Sequence, residues 1–154
     1  MTPLPIGNES QLGAYVDELS ATFASAPSAG ASGRHRIINA ALLFVDVSGY
    51  TALTERLSML GRVGSETLTD IVNTCFEGLI DEVTVGGGHV LRFGGDALFV
   101  AFIGPGRLER AAETALAMQR AIGAMPTIHA PGGRVRLSQS IGLHQGELLL
   151  RRWS

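Results

Sequence analysis

The sequence contains no lysine: all twelve basic side chains are arginine, set against fourteen carboxylates for a formal net charge of -2. With no basic excess and no basic cluster, the chain lacks the electrostatic footprint of a nucleic-acid binder. Any charged contact to a phosphate must use arginine's planar, permanently cationic fork. There is one cysteine, Cys75, so no intramolecular disulfide can form, and its place on the apolar stripe of an expected helix reads as a small buried hydrophobe. No stretch reaches the roughly 18 to 20 apolar residues of a membrane span, and Met1 to Gly7 lacks the basic and apolar regions of a signal peptide. These absences lead us to expect a soluble cytoplasmic protein with neither membrane nor nucleic acid as a partner.

What is present is one domain's worth of core: 154 residues, 45% hydrophobic and 17% charged, are too few for two full domains. Residues 1–36 read as an appendage. Leu12, Tyr15, Val16, Leu19 and Phe23 have the spacing of an amphipathic helix, followed by a Ser-, Ala-, Pro- and Gly-rich linker from Ala24 to Gly33. Residues 37–154 read as the folded segment. Ile37 to Val47 is a nearly continuous apolar strand with Asp46 at its end, and Ser48-Gly49-Tyr50-Thr51 turns into a helix reaching about Leu60. Gly61 to Gly64 is expected to break the chain. A second helix, capped by Ser65, carries the stripe Leu68, Ile71, Val72, Cys75, Phe76, Leu79, Ile80, Val83 and stops at Gly86-Gly87-Gly88. Strands His89 to Phe93 and Ala97 to Ile103 flank Gly94-Gly95-Asp96 as a hairpin. A helix from about Leu108 to Ile122 follows, then a strand from Arg134 to Leu143, a turn at Gly146 and a further strand from Glu147 to Arg152. The order implies an α+β sandwich, ferredoxin-like, with helices packed on a mixed or antiparallel sheet.

Two aspartates about fifty residues apart are the candidate chemistry. If the hairpin lies beside the first strand, Asp46 and Asp96 meet at one edge of the sheet, where paired carboxylates would repel unless a hard cation such as Mg²⁺ or Mn²⁺ lay between them. The plainer alternative makes Asp46 a helix cap and Asp96 a turn residue. Between them in function lies Ser48-Gly49-Tyr50-Thr51, a strand-to-helix turn offering unpaired backbone N–H groups and hydroxyls to an anion. Metal ligands beside a phosphate cradle suggest a nucleoside triphosphate. His89 and His144 have no Cys or His partner at metal spacing, and Arg151-Arg152 reads as a solvated strand end.

Three segments together resemble the class III adenylyl and guanylyl cyclases. They are Phe44-Val45-Asp46-Val47-Ser48-Gly49-Tyr50-Thr51, Arg92-Phe93-Gly94-Gly95-Asp96-Ala97-Leu98 and Ile141-Gly142-Leu143-His144-Gln145-Gly146-Glu147. The Gly-Asp-Ala-Leu form and Thr51 to Glu55 are most similar to the soluble, bicarbonate-responsive adenylyl cyclases and their bacterial relatives. The resemblance implies a cyclase fold in which Asp46, Asp96 and the Val47 carbonyl bind two ions, Mg²⁺ or Mn²⁺. It also implies that Ser48, Gly49, Tyr50 and Thr51 hold phosphates, with Arg92 and Gly95 beside the substrate. The implied reaction converts ATP, or as the second choice GTP, to a 3′,5′-cyclic nucleotide and pyrophosphate by two-metal chemistry. The implied partner is a second cyclase domain, in a homo- or heterodimer.

Where the family has a lysine that reads the base, this chain has Arg92, which keeps the charge but not the shape. The family continues past the position of Ser154 through a base-selecting position and then an Asn and an Arg that stabilise the transition state. The resemblance therefore implies a C-terminally incomplete, metal-bearing half, inactive alone, with Leu148 to Leu150 on an unfinished sheet edge. Two other readings compete: a non-catalytic cyclase-homology module that binds nucleotide or a partner domain, and a diguanylate cyclase. Ala97-Leu98 after Gly94-Gly95-Asp96 argues against the latter.

Overall fold

A computed structural model describes residues 35–151. The amphipathic stripe expected over residues 9–25 and the linker after it lie outside the described residues. The elements are β1 (His35–Ser48), α1 (Tyr50–Ser58), α2 (Gly61–Val85), β2 (His89–Gly94), β3 (Ala97–Ile103), α3 (Arg107–Ala124), β4 (Ile128–Ala130), β5 (Gly133–Val135) and β6 (Ser138–Arg151). Four strands form one sheet in the order β2-β3-β1-β6, with every neighbouring pair antiparallel. This is the ferredoxin-like arrangement expected from the element order. The short β4–β5 hairpin forms a separate two-stranded sheet.

Alternation along the strands divides the sheet into two faces. Leu43, Val45 and Val47 of β1 and Leu98, Val100 and Phe102 of β3 are buried with Leu53 and Leu57 of α1, Leu79 and Val83 of α2, and Met118 and Ile122 of α3. Cys75 lies in this core, and burial pushes its thiol from 9.0 up to about 11. The opposite face carries Phe44 and Phe99, whose rings meet edge-on at 4.7 Å. They remain 43% and 40% exposed, and neither belongs to the helix-covered core. All helix burial is thus spent on one side.

Three local expectations are corrected. The break expected over Gly61 to Gly64 is confined to its start: Gly61, with φ +61, marks the junction after α1, α2 runs from there through Gly64, and Ser65 does not cap it, since its hydroxyl donates back to the Gly61 carbonyl at 3.3 Å. Gly64 is buried inside the helix because a Cβ there would lie 1.7 Å from the Leu57 carbonyl oxygen. It is a close-approach glycine between α1 and α2. Gly146 makes no turn either. It pairs with Ala40 within a register that runs unbroken from Ser138 to Arg151, so the fourteen-residue β1 templates one equally long β6. Finally, the strand expected from Arg134 begins in β5, closed against β4 by the turn at Pro131-Gly132, and resumes at Ser138.

Arg110 joins the element ends. Its guanidinium donates to the Gly86 and Gly87 carbonyls after α2 at 3.2 and 3.1 Å and to the Ile103 carbonyl at the end of β3 at 2.6 Å, and it lies 5.9 Å from the Phe102 ring centroid. Hydrogen bonds from a charged donor contribute about 1.5–3 kcal/mol. Arg110→Ala is therefore expected to lower unfolding free energy by about 2 kcal/mol, and Arg110→Lys to recover only part of it because an ammonium cannot span the fork. Urea denaturation measures both.

The Cys75 thiol sets a pH dependence. Folded, it holds its proton to about pH 11, whereas unfolded it releases it near 9.0. The unfolded state then binds fewer protons between those values, so stability is full below pH 9.0 and falls as pH rises toward 11. Denaturation at pH 8 and above pH 10 should show an alkaline loss that is reduced in Cys75→Ala.

Candidate nucleotide and metal site

Antiparallel pairing places Asp46 opposite Ala97 on one side and Ser140 on the other, at the end of β1. The β2–β3 loop consists of Gly95 and Asp96, because Gly94 still pairs with Ala97. Gly95 adopts φ +72, which a two-residue hairpin loop demands of its first residue. The Val47 N–H donates to the Asp96 carbonyl at 3.0 Å. That bond ties the loop bearing the second aspartate to the residue next to the first. Both carboxylates are half-buried. The described residues show one ion pair, Arg62–Glu66 on α2, so neither aspartate has a cationic partner there.

Beyond Asp46 the chain leaves the sheet through Ser48 and turns at Gly49, which has φ +95. Glycine is required there twice over, since a Cβ would also stand 3.0 Å from the Arg136 carbonyl oxygen. The backbone between β5 and β6 therefore braces the turn. No side chain caps α1 and its first turn holds no acidic residue, so the early N–H groups of Tyr50, Thr51 and Ala52 are available to an anion. Ser48 and Thr51 are exposed, and Tyr50 is half-buried against the core. The turn is anchored on its inner side and open on its outer side.

Arg92 is exposed on β2, opposite Phe99, beyond an irregularity in the register between Val90 and Arg92. Phe99 in turn opposes Phe44, two residues before Asp46 on the same strand face. The structure thus brings Asp46, Val47 and Asp96 together, continues directly into Ser48 to Thr51, and sets Arg92 and Gly95 on the hairpin that bears Asp96. Sequence reasoning did not single out the Phe44–Phe99 pair or the Arg136–Leu137 brace. Period-2 spacing could have revealed the first, because Phe44 shares a strand face with Asp46. No local signal marks the second.

No group of three or more His, Cys, Asp or Glu gathers among the described residues, so an ion here would need main-chain, water or ligand oxygens besides the two carboxylates. No family model matches the chain. Among solved structures, the adenylyl cyclase CyaB from P. aeruginosa superposes with a TM-score of 0.62 at 20% identity, over 78% of this chain and 62% of that one. The guanylyl cyclase domain of the Blastocladiella emersonii RhoGC fusion protein, described as a non-canonical dimer, gives 0.59 at 17%, over 75% and 62%. The fold is that of a class III nucleotide cyclase catalytic domain. In sequence the chain is similar to the soluble enzyme: it is 41% identical to human adenylate cyclase type 10 over 71 residues, 45% of this chain and 4% of that protein. It is also 33% identical over 96 residues to an uncharacterised Mycobacterium tuberculosis protein, covering 62% of this chain and 16% of that one. The matched stretch thus spans only a small part of either relative. No helix among the described residues is long and apolar enough to cross a membrane.

Gly49→Ala tests the turn in this cyclase fold. The left-handed backbone and the Arg136 contact together should cost about 1–3 kcal/mol of stability, read by urea denaturation. Ser48→Ala, at an exposed position on β1, should fall within about 0.5 kcal/mol of the parent.

Proposed function

We propose that this chain supplies the metal-binding half of a nucleotide cyclase active site, converting ATP, or as the second choice GTP, to a 3′,5′-cyclic nucleotide and pyrophosphate. The observation that carries this reading is the Val47–Asp96 main-chain bond, which ties the Asp96 loop to the strand end holding Asp46 beside the uncapped α1 N-terminus. The donor set suits a hard cation: two half-buried carboxylates without a counter-charge among the described residues. Asp46 and Asp96, with the Val47 carbonyl, would hold two Mg²⁺ or Mn²⁺ ions. When bound, such ions lower the pKa of the ribose 3′-hydroxyl and neutralise charge on the departing pyrophosphate.

The chain's own groups bind and orient. Backbone N–H groups of Gly49, Tyr50 and Thr51, with the Ser48 and Thr51 hydroxyls, would cradle the phosphates, and the Arg136 contact would keep that turn from shifting. Arg92, on the hairpin whose loop carries Gly95 and Asp96, would meet the nucleotide as a fixed planar cation. Residues 37–154 act as one catalytic segment in this reading. A second cyclase domain, a copy of this chain or a homologue, would close the site from the uncovered Phe44–Phe99 face.

Calorimetry with Mn²⁺ and a non-hydrolysable ATP analogue should show binding to the parent. In Asp46→Ala and Asp96→Ala the affinity should fall by more than the roughly 10- to 100-fold that losing even an outer-shell partner costs. Thermal midpoints should hold or rise, because each substitution relieves carboxylate repulsion. Unchanged affinity in both variants would contradict the metal assignment. Chromatography after incubation with ATP or GTP and a cyclase partner reads the reaction itself, and tight binding without cyclic product would assign a nucleotide-binding module instead.

A further inference from the structure

The phosphate-cradle turn carries no positive side chain of its own. Gly49, Tyr50 and Thr51 offer N–H groups and hydroxyls, and β6 sets Ser138 and Ser140, again hydroxyls, opposite Ser48 and Asp46. One cation adjoins the turn. The Arg136 carbonyl oxygen stands 3.0 Å from where a Cβ on Gly49 would be, so the root of the Arg136 side chain is held beside the cradle. Burial alternates strictly from Val135 to Ser140, and Arg136 falls in the exposed row with Ser138 and Ser140.

The guanidinium itself is weakly committed. Its Nη2 donates to the Gly123 carbonyl near the end of α3 at 2.8 Å, at an exposed position. No carboxylate pairs with it among the described residues, where the one ion pair is Arg62–Glu66, and residues 114–146 contain no Asp or Glu. Charge-assisted, bidentate bonds from arginine to phosphate are roughly twice as strong as bonds between neutral groups, so a phosphate arriving at the turn outcompetes a solvated carbonyl. Two other arginines are placed differently. Arg56 lies in the last turn of α1 with its Nη1 buried and beside Gly133, and Arg92 stands on β2, two strands away from β1 on the side opposite β6.

We propose that Arg136 is the cation that binds the terminal phosphates of the nucleotide: its guanidinium leaves the Gly123 carbonyl and forms a bidentate pair with phosphate oxygens lying over Gly49 to Thr51. This role rests on the nucleotide reading above and adds to it a side chain that grips the triphosphate without touching the metal ions. It also gives the Arg136 main-chain brace a second purpose, since the contact that steadies the turn sets the guanidinium within reach of what the turn binds.

Calorimetry on the full chain with Mn²⁺ and a non-hydrolysable ATP analogue reads the pairing. Arg136→Gln should weaken the analogue by roughly 10- to 100-fold, the effect of losing a hydrogen bond between charged groups. Arg136→Lys keeps the charge without the fork and should fall between the two. Both variants retain the main-chain contact to Gly49, so urea midpoints and Mn²⁺ affinity without nucleotide, read by electron paramagnetic resonance, should match the parent's. Undiminished analogue affinity in Arg136→Gln would overturn the proposal, as would an equal loss of Mn²⁺ affinity, which would mark a distorted turn instead. In the parent, the Arg136 Nε–H resonance should shift saturably as the analogue is added, and a resonance unmoved at saturation would count equally against it. Analogue binding that is lost in Asp46→Ala but not in Arg136→Gln sinks Arg136 alone, whereas a parent that binds no nucleotide sinks the cyclase reading with it.

Discussion

The site depends on antiparallel pairing between β1 and β3, and most directly on the hydrogen bond from Val47 to Asp96 that closes it. Asp96 sits in a loop of two residues, so the loop's position follows from the strand register rather than from its own contacts. A one-residue slip would turn every β1 side chain to the other face. Leu43, Val45 and Val47 would leave the core, and the aspartates would part. The apolar pattern that stabilises the fold therefore also aligns the candidate ligands.

The price of that arrangement is a sheet with only one covered face. Both long helices pack against Leu43, Val45, Leu98, Val100 and Phe102, while Phe44 and Phe99 shield each other on the opposite side. Asp46 lies on this open side, two residues along from Phe44. A carboxylate pair placed under a helix would need desolvation without compensation; at the open end of the sheet, water and ligands reach it. The phosphate-cradle candidate follows the same logic. Its glycine turn is braced from inside by the Arg136 carbonyl and the Leu137 side chain, while Ser48 and Thr51 remain exposed.

Much of this was legible in the residues. The apolar run ending in Asp46, the stripe from Leu68 to Val83 and the hairpin around Gly95-Asp96 each carry a local period or a turn chemistry, and the ferredoxin-like sandwich followed from the order of the elements. Two of the misreadings share a physical cause: glycine is ambiguous without its neighbours. Gly64 and Gly146 look like breaks, yet one permits two helices to touch and the other sits in an extended strand fixed by fourteen residues of β1. The β4–β5 hairpin was missed because strands of three residues are too short to show alternation. Of the candidate site, the aspartates and the turn were singled out by their spacing and resemblance. The brace from Arg136 was not, because it is a backbone contact between segments almost ninety residues apart and leaves no side-chain signature.

The central claim is that Asp46 and Asp96 share cations at the end of β1. Crystals soaked with Mn²⁺ and a non-hydrolysable ATP analogue test it most directly, through anomalous scattering at the manganese edge. The account predicts anomalous peaks within about 2.0–2.6 Å of carboxylate oxygens from both aspartates, with the triphosphate lying over Gly49 to Thr51. Triphosphate density elsewhere, or manganese bound away from both carboxylates, would contradict it.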